Sequence, residues 1–244
     1  NLKIKDNKLI TADQNNNVYF FNKQNGNVLK LIPTEDSKIK NNFRNNFSIS
    51  NNLIMFLNTY GSLYAIDKEN LKIKWVINLN QSLDLNPNNL FHGYPIVNDN
   101  DFVVITSHQS TYVIDSSTGS LIYKYDIVSQ LKPLIVNNHL FFVSANNFLI
   151  CINLSNGKIV YSYEINKQIA EYLDIKKKAV AFQSLMFANN KIIILLKNSY
   201  LLEFKINGKL IDIHKLSAKI NSNLIFIDNS ILFLDRRNKL IILR

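Results

Sequence analysis
Cysteine occurs once in the 244 residues, at Cys151, which excludes an internal disulfide and any cysteine-rich metal site. Its surroundings, Leu149-Ile150-Cys151-Ile152, point to apolar packing rather than a reactive thiol. Histidine occurs four times, at His92, His108, His139 and His214, with none in metal-ligand spacing. No run of about 18 apolar residues exists, so no helix of this chain is long enough to span a membrane. The chain opens on Asn1 without a basic segment or an apolar stretch behind it, so no signal peptide is visible, and the start reads as cut. Glycine (6), proline (4) and arginine (4) are scarce, whereas asparagine (38) and lysine (24) abound. That profile is what AT-rich coding imposes on surfaces indifferent to which polar residue they carry.

A formal charge of +10 raises nucleic-acid binding, but such a footprint should show clustered arginine with interleaved aromatics. Here the lysines are scattered and the one tight run is Lys176-Lys177-Lys178, so a solvated basic surface is the reading and no nucleic acid is expected. With 47% hydrophobic and 11% aromatic residues the chain can bury a sizeable core, which excludes disorder.

The prominent positive feature is a repeat. Gly61-Ser62-Leu63-Tyr64-Ala65-Ile66-Asp67, a polar turn, then Lys72-Ile73-Lys74-Trp75 reads as strand, turn, strand. Copies end at Asn22, Asp115 and Asn153, and looser ones at Lys205 and Arg244, with successive spacings of 45, 48, 38, 52 and 39 residues. That is the period of a four-stranded propeller blade. The fold expected is an all-β propeller of antiparallel blades, with repeat units at about 1–33, 46–80, 93–128, 132–166, 184–216 and 222–244. Apolar runs such as Ile192-Ile193-Ile194-Leu195-Leu196 do not alternate, which fits central strands buried on both faces. Trp75, Tyr123 and Tyr161 hold one equivalent position and read as rings wedged between blades. The last unit stops three strands in, while residues 1–10 already serve their own unit. The expectation is therefore that further N-terminal blades precede Asn1, as part of an eight-bladed propeller.

The combination of apolar strand, Gly61, Leu63-Tyr64-Ala65-Ile66-Asp67, turn and Trp75 resembles the repeat of pyrroloquinoline-quinone-type propellers. Within that class the chain is similar to the BamB family of outer-membrane assembly lipoproteins, down to the closing Leu240-Ile241-Ile242-Leu243-Arg244. The resemblance implies a non-catalytic scaffold without cofactor on the periplasmic side of the outer membrane, held there by a lipid anchor outside this chain. It implies a BamA-like barrel-assembly partner and unfolded outer-membrane proteins as clients. Two other readings stand beside it: a quinone-dependent periplasmic dehydrogenase, for which no calcium-ligand cluster is assignable, and a generic surface-binding propeller.

Loop lengths locate the interaction surface. Links between blades are long at residues 34–46, 80–93 and 166–184, and all lie on the end that also carries the middle turn of each blade. By the resemblance, Phe43 and Arg44 in the first link dock on the partner; an aromatic beside an arginine is also what interface hot spots favour. The second link falls where the family has an acidic contact loop, yet only Asp84 is acidic, leaving Leu83, Leu85 and Phe91 as apolar contacts. In the third, Ile169, Tyr172 and Leu173 are spaced for a short helix that seals the rim or faces a partner.

Overall fold
The computed structural model describes residues 2–35, 46–50, 52–80, 91, 93–107, 109–129, 131–222, 224–227 and 230–243. They form two compact units, residues 1–128 and 129–244.

The first unit holds three four-stranded antiparallel sheets. Sheet one is β1 (Lys3–Lys5), β2 (Lys8–Ala12), β3 (Val18–Asn22) and β4 (Val28–Ile32). Sheet two is β5 (Asn46–Ile49), β6 (Leu53–Leu57), β7 (Ser62–Asp67) and β8 (Ile73–Asn78), and sheet three is β9 (Val97–Asn98), β10 (Phe102–Thr106), β11 (Thr111–Asp115) and β12 (Leu121–Tyr125). The second unit continues with sheet four, β13 (Leu134–Val136), β14 (His139–Val143), β15 (Phe148–Asn153) and β16 (Ile159–Glu164), followed by helix α1 (Ile165–Leu173). Sheet five is β17 (Phe182–Ala188), β18 (Lys191–Leu196), β19 (Tyr200–Phe204) and β20 (Leu210–Lys215). Sheet six has three strands, β21 (Ile225–Ile227), β22 (Ser230–Leu234) and β23 (Leu240–Leu243). Every sheet is a meander of neighbours in sequence.

The strands lie where the apolar runs predict, with some ends shifted: β13 and β21 begin one residue late, after Pro133 and Leu224, and β17 begins early, at Phe182. Tyr94, Pro95 and Ile96 stay outside β9, since proline has no N–H to give a ladder; Tyr94 instead donates its N–H to Thr106 O at 2.8 Å. Central strands of sheets two to five are buried almost throughout, as β6 and β18 illustrate, while the outermost strands β8, β12 and β16 stay largely exposed. Continuous apolar runs thus reflect burial on both faces. Cys151 sits in such a strand, 2% exposed, and burial pushes its thiol up to about 11.

One local device sets the hairpin between the third and fourth strands of sheets one to four. Asn22, Asp67, Asp115 and Asn153 each turn their Oδ1 back to accept the N–H two residues on, at 2.8 to 2.9 Å. Four residues on, a backbone with positive φ closes the turn by donating to the carbonyl of that same Asn or Asp, as Gly119 does to Asp115 at 2.9 Å. Just before each of these hairpins the ladder slips, at Phe20/Phe21, Ala65/Ile66, Val113/Ile114 and Cys151/Ile152. Lys205 cannot make this side-chain turn, and Gly208 closes instead after three residues.

Two of the three equivalent rings, Trp75 and Tyr161, pack as wedges between sheets. Trp75 of β8 covers Gly119 of the next sheet, where a Cβ would lie 2.6 Å from the ring, and its Nε1–H donates to Ser116 O at 3.0 Å. Tyr161 of β16 covers Gly208 in the same way, at 2.4 Å, with its hydroxyl donating to Ile206 O at 2.8 Å. Glycine is needed there twice over, for φ and for the absent side chain.

Candidate partner-binding end
Antiparallel meanders put the middle turn of every sheet, and the link to the next, at one end. In the first unit this end is organised around the turn 58–61, between β6 and β7. Asn58 Oδ1 accepts the N–H groups of Tyr60 and Ser62, at 3.0 and 2.9 Å, which fixes the turn from inside. Asn16, fully buried in the corresponding turn of sheet one, donates its Nδ2–H to Thr59 Oγ1 and to Glu35 O, both at 3.0 Å. Thr34 Oγ1 donates to Asn16 O at 2.6 Å, and Asn58 Nδ2 donates to Glu35 Oε2 at 2.7 Å. A buried amide with this many partners is satisfied and so holds the chain in one place. Burial, with the Glu35 carboxylate nearby, raises the phenol of Tyr64 in β7 above its ordinary value.

The flanks of both long links therefore meet at this turn. Thr34 and Glu35 leave from it, and Asn46, where the chain returns, donates its Nδ2–H to Gly93 O at 2.8 Å. Leu79 donates its N–H to Gly61 O at 2.8 Å before the second link, and Phe91 donates to Thr59 O at 3.0 Å after it. Phe43, Arg44, Leu83, Asp84 and Leu85 lie outside the described residues.

Phe91 is described, and its placement corrects the expectation of a rim contact. It is 8% exposed in the core of sheets two and three, and its ring fills the space that Gly61 leaves empty, where a Cβ would lie 2.9 Å away. The glycine-shaped hole captures the ring, which locks the return of the link rather than projecting from it. Asn16, Glu35 and Asn58, which do the anchoring, escaped the sequence reading; polar residues in turns carry no mark of burial until two turns are seen to meet.

In the second unit the third link carries α1, which starts at Ile165 rather than near Gln168. Glu164 gives no side-chain cap, and the Ile165 N–H is satisfied by Asn147 O at 3.0 Å, so no start signal was there to read. Ile165 and Ile169 are buried, whereas Tyr172 and Leu173 are exposed. Gln168 bridges to sheet five, donating to Gly208 O at 3.0 Å and accepting from Leu210 N at 2.8 Å. Tyr163, Gln168, Glu171, Tyr172, Lys209 and Leu210 line an open groove of about 460 Å³ there. Among the described residues no three of His, Cys, Asp and Glu stand close enough to hold a metal ion. Among them, too, no helix is long and apolar enough to cross a membrane.

Comparison with known proteins accords with this architecture. A family model described as outer membrane protein assembly factor BamB matches residues 61–230, more than half of the chain. The chain belongs to the BamB family. No curated protein matches it in sequence. Among solved structures, the crystal structure of BamB from Moraxella catarrhalis matches with a TM-score of 0.57 and 10% identity, over 99% of this chain and 81% of that one. The β-propeller domain of Cps50 (Swd1) from Myceliophteria thermophila matches at 0.61 and 10% identity, over 99% and 84%. The computationally designed Ika8 protein matches at 0.69 and 13% identity, over 99% and 69%. At these identities the likeness is one of fold: this BamB-family chain is a β-propeller of four-stranded antiparallel blades. Membership ties it to the assembly of outer-membrane proteins.

Proposed function
We propose that this chain is a non-catalytic scaffold of the outer-membrane assembly machinery, docking a BamA-like partner through the two long links of its first unit. It works on the periplasmic side of the outer membrane, held by a lipid anchor outside these residues. The observation that carries the reading is the shared anchorage: links 34–46 and 80–93 both start and finish around the turn 58–61, pinned by Asn16, Asn58 and Phe91. Two segments rooted at one spot can form one contact surface at low cost in ordering entropy. Phe43 and Arg44 supply the aromatic and guanidinium anchor, with Leu83, Asp84 and Leu85 beside them.

Clients are met differently. Within their sheets β4, β8, β12 and β16 pair on one side, so each of these outer strands offers an edge on which an extended segment of an unfolded barrel protein can add as a strand. Capture of a BamA-like periplasmic domain by the chain tests the docking. Phe43→Ala with Arg44→Glu is expected to weaken capture by at least about tenfold while leaving the melting temperature unchanged. Equal capture by parent and variant counts against these residues as contacts.

A further inference from the structure
The charge of this chain is unevenly distributed. Residues 129–244 hold 16 of the 28 lysines and arginines but 7 of the 18 acids, and so carry +9 of the formal +10. Seven of the second unit's cations stand in links and middle turns at one end. Lys176-Lys177-Lys178 follow α1 in a link, Lys197 stands in the turn between β18 and β19, Lys219 in the link before β21, and Arg236-Arg237 in the turn between β22 and β23. All seven are exposed.

Backbone hydrogen bonds tie these turns together. Lys197 N donates to Ala181 O at 2.9 Å, Leu216 N to Ser199 O at 3.0 Å, and Arg236 N to Lys219 O at 3.0 Å. Acids at this end are few: Glu164 pairs with Lys177 at 2.7 Å, Glu171 lies 3.8 Å from Lys167, Asp235 Oδ1 accepts the backbone N–H groups of Arg237 and Lys239, and Asp174, between Leu173 and Ile175, is exposed. Among the described residues the other six cations have no ion-pair partner. Beside the lysine run, Leu173 and Ile175 are exposed at 45% and 49%.

We propose that this end of the second unit rests on an anionic phospholipid surface, with Lys176, Lys178, Lys197, Lys219, Arg236 and Arg237 facing the headgroup phosphates. Leu173 and Ile175 enter the interface between the headgroups. Long cationic side chains beside exposed aliphatic ones are the composition of an interfacial membrane contact, where the stems lie along the apolar boundary and the charges reach phosphate. A folded protein partner would call instead for a concave pocket around aromatic and arginine anchors, and a nucleic acid for aromatics interleaved with the cations. The cations here stand on exposed turns and links, and a fluid array of phosphates can match them without shape complementarity. The family works on the outer membrane, so a bilayer is at hand.

Sedimentation of the 244-residue chain with lipid vesicles tests this. Vesicles of phosphatidylcholine mixed with phosphatidylglycerol should bind it, vesicles of phosphatidylcholine alone should not, and added salt should release it. Lys176→Gln with Lys178→Gln, and separately Arg236→Gln with Arg237→Gln, should each weaken binding by about fivefold per cation removed. Leu173→Ser with Ile175→Ser should weaken it with an unchanged salt dependence. Should an arginine variant melt early, the lysine variant, altered in an exposed segment, carries the result. Equal binding to both vesicle types, indifference to all three substitutions, or stronger retention by polyglutamate than by anionic vesicles would overturn the proposal, the last by pointing to an acidic protein. Capture of the BamA-like domain should be unaffected by these variants, which separates this surface from the first.

Discussion

At the scale of single residues, the wedge between sheets is built from two positions that answer each other. Where the outermost strand carries Trp75 or Tyr161, the facing turn of the next sheet carries Gly119 or Gly208. Between sheets one and two both positions change together: the ring position holds Lys30, and the glycine position holds Leu71, at φ 54 and 8% exposed in the core that the two sheets share. A leucine side chain from one side replaces an aromatic ring from the other. Left-handed backbone costs leucine about 1–2 kcal/mol, whereas burying it returns about 1.5–3 kcal/mol. Leu71→Gly should therefore cost at most about 2 kcal/mol in urea unfolding, less than the about 2–5 kcal/mol of an ordinary buried leucine truncation. Gly208→Ala should cost more than Gly26→Ala, because both glycines have positive φ but a Cβ meets Tyr161 at 2.4 Å in the first and nothing within 4 Å in the second. Strain alone is worth about 1 kcal/mol, and the clash adds about 1–3 kcal/mol. Parallel denaturation of the two variants checks the difference.

At the scale of elements, the hairpin turns are held by carboxylates as well as amides, which makes them sensitive to acid. Hydrogen bonds from the Ser117 side chain and the Thr118 N–H hold the Asp115 carboxyl below its ordinary value, and the Asn70 N–H with the Lys74 ammonium does the same for Asp67. A carboxylate with a lowered folded value contributes stability that is complete above its unfolded value, near pH 4, and is lost as pH falls through the folded one. Asp115→Asn should therefore be less stable than the parent at neutral pH, with the gap narrowing as the pH drops below about 4. Stability curves against pH for both proteins report it directly. The α1 helix depends on one side chain in a similar way. Gln168 serves two backbone groups of sheet five, so Gln168→Ala should cost about 1–2 kcal/mol, and Gln168→Glu, which keeps the acceptor for Leu210 N, less.

At the scale of the whole molecule, the first and last sheets differ from those between them. In β2, β3 and β22 burial is intermittent rather than continuous. One face of sheet six presents Ile225, Ile227, Leu240 and Ile242, each more than half exposed, and sheet one exposes Ile4, Val28 and Leu31. Contiguous apolar faces of this kind drive association. The 244-residue chain should self-associate as its concentration rises, and Leu240→Lys with Ile242→Lys should reduce this in sedimentation velocity without loss of β-sheet content. A sedimentation coefficient independent of concentration would count against exposed faces in solution.

Much of this architecture was readable in the residues, because blade strands are written as apolar runs closed by Asn, Asp and Gly turns, and those signals are local. The hairpin Asn and Asp, the rings at Trp75 and Tyr161, and the three-stranded last sheet all follow from spacing along the chain. What only the tertiary structure decided is where distant turns meet. Asn16 and Asn58 are ordinary turn residues until burial brings Glu35 between them, and Phe91 belongs to the core because Gly61 leaves a hole its ring can fill. The collection of Lys197, Lys219 and Arg236 at one end is likewise a product of antiparallel alternation, which brings together turns separated by some 20 residues in the sequence.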